Sequence, residues 1–147
     1  MVGDTYRIVV SGKQTDGAFA IIDMLVPSGH GPGPHAHASF QETFYMVDGE
    51  VEFKTEEGRS LAQKGDVVTV PKGGAVHGFK NVGNGMAHLL CTVGPAGLDA
   101  FFEEIGTPVE AGGFLPPPRL DEDAIKKLMA IAAKYGQVVY PPDYLDK

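Results

Sequence analysis

The chain has 147 residues, 43% hydrophobic and 21% charged, which suffices for one globular core without covalent staples. Its 19 acidic and 12 basic residues leave a formal net charge of −7, which opposes attraction to a phosphate backbone and excludes nucleic acid as the expected partner. Cys91 is the one cysteine, so an internal disulfide framework and an all-cysteine zinc site are ruled out; no apolar run approaches the ~20 residues of a membrane span, and the start lacks signal-peptide character, so cytoplasm is the expected compartment.

Short runs rich in Val, Ile, Phe and Tyr recur along the first two thirds of the chain. They are Tyr6 to Val10, Phe19 to Val26, Thr43 to Val47, Val51 to Lys54, Val67 to Val70, Ala75 to Lys80 and Ala87 to Val93. Each reads as a strand. Thr15-Asp16-Gly17, Asp48-Gly49, Glu57-Gly58, Lys64-Gly65-Asp66 and Asn84-Gly85 separate them as tight reversals, with Asp48-Gly49 the strongest hairpin signal. Regular spacing of this kind predicts an antiparallel barrel or sandwich. After Gly94-Pro95, the spacing of Leu98, Phe101, Phe102 and Ile105 predicts a short helix ending before Gly106. A Pro116-Pro117-Pro118 linker leads to a second helix, opened by Asp121-Glu122-Asp123 and closed by Gly136, with Ile125, Leu128, Ala132 and Tyr135 as its apolar stripe. The reading is one domain over residues 1–147, with a barrel core of about 5–94 and a helical extension of about 95–147.

Chemistry concentrates in the histidines. His35 and His37 are two apart, so on an extended backbone both imidazoles project from one face and can converge on one ion. Glu42 has the opposite parity and joins them only if the chain bends between Ala38 and Gln41. Phe44 and Met46 then share its face, as a pocket wall would. His77 supplies a fourth ligand from a later strand whose same face carries Phe79 and Asn81. Three imidazoles and a carboxylate suit one divalent transition-metal ion (Fe, Mn, Ni, Co, Cu or Zn) and leave room for a chelating substrate in an octahedral shell. His30 reads as a solvent-facing loop residue, His88 as a hydrogen-bonded structural histidine, and Cys91 as a small core residue. Phe44, Met46, Phe53 and Phe79 are candidates both for core and for pocket lining.

The spacing from Gly29 through His35, His37 and Glu42 to Gly49 resembles the first motif of the cupin superfamily, and Gly65 to Asn81 resembles the second, with one extra residue between Pro71 and His77. The resemblance implies a mostly β, double-stranded β-helix (jelly-roll) barrel of six to eight strands with C-terminal helices, commonly a homodimer, holding the metal on His35, His37, Glu42 and His77. The segment after Gly94 is similar to the tail of single-domain, quercetinase-like cupins. That similarity implies a dioxygenase-like oxidoreductase acting on a small chelating enediol, flavonol or diketone, with Glu42 as ligand and proton acceptor. A metal-dependent isomerase or decarboxylase and a non-catalytic small-ligand module are the alternatives. Strand Tyr6 to Val10 and the tail Val138-Val139-Tyr140-Pro141 are the candidate edges for dimer pairing.

Overall fold

Alternation decides most of the strands. In Ala20–Val26 every second residue, from Ala20 through Ile22 and Met24 to Val26, is buried, and Ala87, Leu89, Cys91 and Val93 repeat the pattern in Ala87–Gly94. The computed structural model describes residues 4–110, 113–116 and 121–146. Its strands are β1 (Thr5–Val10), β2 (Ala20–Val26), β3 (His35–His37), β4 (Gln41–Asp48), β5 (Glu50–Thr55), β6 (Gly58–Gln63), β7 (Val67–Val70), β8 (His77–Lys80), β9 (Ala87–Gly94) and β10 (Gln137–Val139). Two helices, α1 (Leu98–Ile105) and α2 (Glu122–Lys134), lie between β9 and β10. Among the described residues the strands form two five-stranded antiparallel sheets, ordered β1-β2-β9-β4-β7 and β10-β3-β8-β5-β6. The buried faces of the two sheets share one apolar core, which runs from Ala20 and Ile22 through Phe44, Met46 and Phe53 to Phe79 and Leu89.

Two findings depart from the sequence reading. Asp48-Gly49 is a corner and not a hairpin, because β4 belongs to the first sheet and β5 to the second. Gly49 has φ +79°, and a Cβ there would stand 2.7 Å from the Met86 carbonyl oxygen, so the crossing chain runs against another backbone segment. The Val138-Val139 tail enters the outer strand of the second sheet, β10, which pairs antiparallel with β3 on one side in register Gln137 to His37 and Val139 to His35. In α2 the inward stripe is Leu128, Ile131, Ala132 and Tyr135, while Ile125 is exposed. Asp121 caps this helix, its side chain accepting the Ala124 N–H at 2.8 Å. Helix α1 joins the barrel core through Leu98 and Phe101 and is anchored by Asp99, whose carboxylate accepts the Gly12 and Gly97 N–H groups at 2.8 and 3.0 Å. Pro117 and Pro118 of the expected linker lie outside the described residues.

Beside β1 and the helices lies a cavity of about 700 Å³ whose wall includes Asp4, Tyr6, Phe102, Ile105, Leu128 and Ile131. Both carboxylate oxygens of Asp4 are buried without a hydrogen-bond partner, and burial pushes its pKa up to about 7 from 3.8, against the lowering pull of the chain's amino terminus. The folded state therefore keeps a proton that the unfolded chain releases. The resulting stability is complete below pH 3.8 and is lost as pH rises through about 7. Asp4→Asn is expected to raise stability by about 1–3 kcal/mol at pH 8, a gain that shrinks below pH 7 and vanishes near pH 4; thermal melts of both proteins across that range check it.

Candidate metal centre

Each candidate ligand is placed by a different local device. β3 is extended, so His35 and His37 emerge on one face. The chain then breaks at Ala38 to Phe40 and resumes in β4, which turns Glu42 inward along with Phe44 and Met46; this is the bend that the parity of Glu42 requires. On the second motif the extra residue is absorbed before the ligand. Gly73 and Gly74 take φ +121° and +82°, Gly73 donates its N–H to the Ala38 carbonyl at 3.1 Å, and His77 still begins β8 opposite His35.

The four ligand atoms all lie within 4.8 Å of one another. Atoms bound about 2.1 Å from a single ion stand roughly 3 to 4.2 Å apart, so this set is close to one coordination sphere. His37, Glu42 and His77 are buried, and His35 is partly exposed.

Hydrogen bonding fixes the tautomers. Nδ1 of His35, His37 and His77 faces the carbonyl oxygen of Gly33, Phe40 and Ala75 at 2.8, 2.9 and 2.9 Å. A carbonyl only accepts, so each Nδ1 carries a proton and Nε2 is the nitrogen that each ring turns into the cluster. There Nε2 of His37 and of His77 is buried with no hydrogen-bond partner. Glu42 Oε1 lies against His37 Nε2 and 3.6 Å from His77 Nε2. Three ring nitrogens and a carboxylate oxygen thus face one point, where a cation at their centre would satisfy all four. The residues fit a divalent ion of the nitrogen- and oxygen-binding kind.

Charge at the cluster follows from the same contacts. Burial and then the neighbouring His77 lower the pKa of His35 to about 4, so it is neutral at pH 7. For His37 burial works against the charged form, but the Glu42 carboxylate outweighs it and raises the pKa. Burial likewise opposes the charge on Glu42, yet contacts with His37 and His77 hold its pKa well below the ordinary value. Proton competition for an ion therefore centres on His37. Below the pKa of His37 each unit of falling pH is expected to weaken divalent-ion binding about tenfold, with about one proton released per ion. Calorimetric titration at pH 6 and pH 8, each in two buffers of different ionisation enthalpy, measures that proton.

The other predicted residues resolve as follows. Phe44, Phe53 and Phe79 form an aromatic cluster with ring centroids 5.2 to 5.5 Å apart, and with fully buried Met46 they fill the barrel interior. His88 lies outside the cluster and hydrogen-bonds Asp23, as a structural histidine would. His30 is half-buried in the loop before β3, with Nδ1 shielded and unpartnered, so it is less solvent-facing than expected. Asn81 holds the turn after β8: its amide donates to the Val26 and Gly85 carbonyls, and its oxygen accepts the Gly83 N–H. Two neighbours of the cluster escaped the sequence reading. The Cys91 thiol donates to Glu42 Oε2 at 3.5 Å, and burial followed by that carboxylate pushes its pKa up. Phe40 stacks on the His37 ring at 4.1 Å. The thiol contact has no local signature, because it joins strands that only the fold brings together; Phe40 lies three residues from His37, within the bend before β4.

A family model described as the cupin domain matches residues 22–93, from within β2 to within β9, and takes in all four clustered side chains. These residues are a cupin domain. The cupin chain is similar to quercetin 2,3-dioxygenase of Bacillus subtilis (strain 168), with 28% identity over 120 residues, 81% of this chain and 35% of that protein. It thus spans about a third of the length of the curated relative it matches. Among solved structures, KdgF from Halomonas sp. superposes with a TM-score of 0.59 at 19% identity, covering 67% of this chain and 84% of that one. A predicted oxalate decarboxylase from Thermotoga maritima superposes with a TM-score of 0.58 at 24% identity, covering 63% and 80%. Both likenesses concern the cupin barrel alone. No helix among the described residues is long and apolar enough to cross a membrane.

Proposed function

We propose that this cupin binds one divalent transition-metal ion through His35, His37, Glu42 and His77, and acts as a dioxygenase-like oxidoreductase on a small chelating substrate of the enediol, flavonol or diketone type. The observation that carries the metal reading is the convergence of four ligand atoms within 4.8 Å of one another, with Nε2 of His37 and of His77 buried and without a hydrogen-bond partner. The likeness to quercetin 2,3-dioxygenase over 81% of the chain supports the reaction class. A divalent ion held there supplies Lewis-acid or redox chemistry to a substrate that offers two neighbouring oxygens.

The chain's own residues shape that chemistry. Backbone carbonyls hold the three imidazoles in the ligating tautomer, which removes the need to reorganise them when the ion enters. Glu42 is the one carboxylate of the set; Oε1 faces the histidines while Oε2 is held by the Cys91 thiol, so acting as proton acceptor requires it to leave that thiol. The aromatic cluster of Phe44, Phe53 and Phe79 keeps water from the interior beside the site. The substrate side is then the partly exposed His35 side.

An oxygen electrode tests the reading. Protein loaded separately with Fe(II), Mn(II), Co(II), Ni(II) and Cu(II) is mixed with quercetin, a 1,2-diketone or an enediol. Dioxygen uptake matched by substrate loss in at least one combination is expected; no uptake in any of them removes the dioxygenase reading. One observation favours a binding module instead: Phe40 and Cys91, the neighbours that touch the ligands, offer no group that titrates near neutrality. Saturable substrate binding without product, aerobic or anaerobic, identifies that case, whereas anaerobic product points to isomerase or decarboxylase chemistry. We propose also that the chain is a homodimer, supported by β1, which has a pairing partner on one side only among the described residues.

A further inference from the structure

The tail beyond α2 brings one polar side chain to the candidate metal centre that the sequence motifs do not contain. Gln137 opens β10 and pairs directly with His37 of β3. Directly opposed residues of an antiparallel pair project to the same face, with Cβ atoms about 4.5–5.5 Å apart. Gln137 is therefore on the ligand-bearing face, beside His37. It is 8% exposed, and its amide nitrogen is buried without a hydrogen-bond partner. The buried amide of Asn81 makes a contrast, since both of its ends are used in holding a turn. A structural amide spends its hydrogen bonds, because leaving one unmade when buried forfeits the water it gave up. Gln137 keeps a donor in reserve next to a metal ligand. Two residues on, Val139 shares the face of His35 and is 40% exposed, so this side of the cluster is apolar and open.

We propose that Gln137 is a substrate-binding residue, its amide N–H donating to an acceptor oxygen of a ligand that chelates the ion on His35, His37, Glu42 and His77. This rests on the metal reading given under Proposed function and narrows the substrate class. The ligand needs an acceptor oxygen beside its ligating oxygen, as in a deprotonated enediol or catechol, and a flat apolar body that lies along Val139. A ligand with a single donor atom gains nothing from Gln137. The neutral amide also explains why a donor is present without a further positive charge: it tolerates an anionic oxygen and leaves the charge of the cluster unchanged.

The test uses the full chain loaded with Co(II) or Fe(II), with 4-nitrocatechol as chromophoric probe and azide as single-donor control. Gln137→Met keeps the length of the side chain and removes the donor. It is expected to weaken 4-nitrocatechol binding about tenfold, with azide and metal affinity unchanged, since the hydrogen bond lost is one to a charged oxygen. Gln137→Asn shortens the reach and is expected to weaken the probe to a lesser degree; it serves also if the methionine variant fails to fold. Probe binding unchanged in both variants overturns the proposal while leaving the metal reading intact. Equal weakening of probe and azide overturns it too, by assigning Gln137 to the ion and not to the chelate. Wild-type protein that takes up no metal overturns the reading beneath both.

Discussion

Replacing His77 with alanine is expected to lower divalent-ion affinity by roughly 100-fold or more, a larger loss than the 10–100-fold typical of residues that only orient ligands. His77 is fully buried, its Nδ1 is held by the Ala75 carbonyl, and its Nε2 points at the other donors without a partner of its own. No other histidine, cysteine, aspartate or glutamate of the described residues belongs to the cluster. His88→Ala is the matched control, since that imidazole is engaged with Asp23 outside the cluster and its loss is expected to leave the ion untouched. Titration of both variants with Co(II), followed by the visible absorbance of the bound ion, separates a ligand from a bystander. Equal affinities in the two would remove His77 from the set.

The largest stability effect is expected at Phe53. Its ring is 2% exposed and sits between Phe44 and Phe79, with centroids 5.3 and 5.2 Å away, where the inner faces of the two sheets meet. Truncation to alanine removes the ring's burial and leaves a cavity that its rigid neighbours close only in part, at a cost of about 3–5 kcal/mol. For a chain of this size that is a fall in Tm of about 10–20 °C. The ligands themselves hang on β3, β4 and β8, so metal affinity in the folded fraction is expected to stay within about threefold of wild type. A small Tm change with a large loss of metal affinity would show instead that Phe53 serves the site and not the core.

Both predictions rest on features that differ in how far local sequence reveals them. The two-residue spacing of His35 and His37 fixes their common face on any extended backbone, and the parity of Glu42 demanded the bend found at Ala38 to Phe40. Helix α1 was legible to its end residues, because Leu98, Phe101, Phe102 and Ile105 mark one face and Gly94-Pro95 precedes it. Asp48-Gly49 misled because a tight turn signal says that the chain reverses, not whether its two arms pair; here they pass to different sheets. Strand β10 has three residues and gets its identity from β3, about a hundred positions earlier, so no periodicity within it announces a strand. That is why Gln137, which this pairing sets beside His37, was invisible. The Cys91 contact to Glu42 is of the same kind: a small apolar-type residue in an alternating strand reads as core, and its thiol donor matters only because β4 lies alongside β9.

The centre itself is tested most directly by counting ions. Chelator-treated protein titrated with Co(II) at pH 8 is expected to saturate at one ion per chain, and a His35→Ala/His37→Ala double variant is expected to take up none in the same range. Saturation of the double variant like that of wild type, or no saturable uptake by wild type, would contradict a metal centre built from His35, His37, Glu42 and His77.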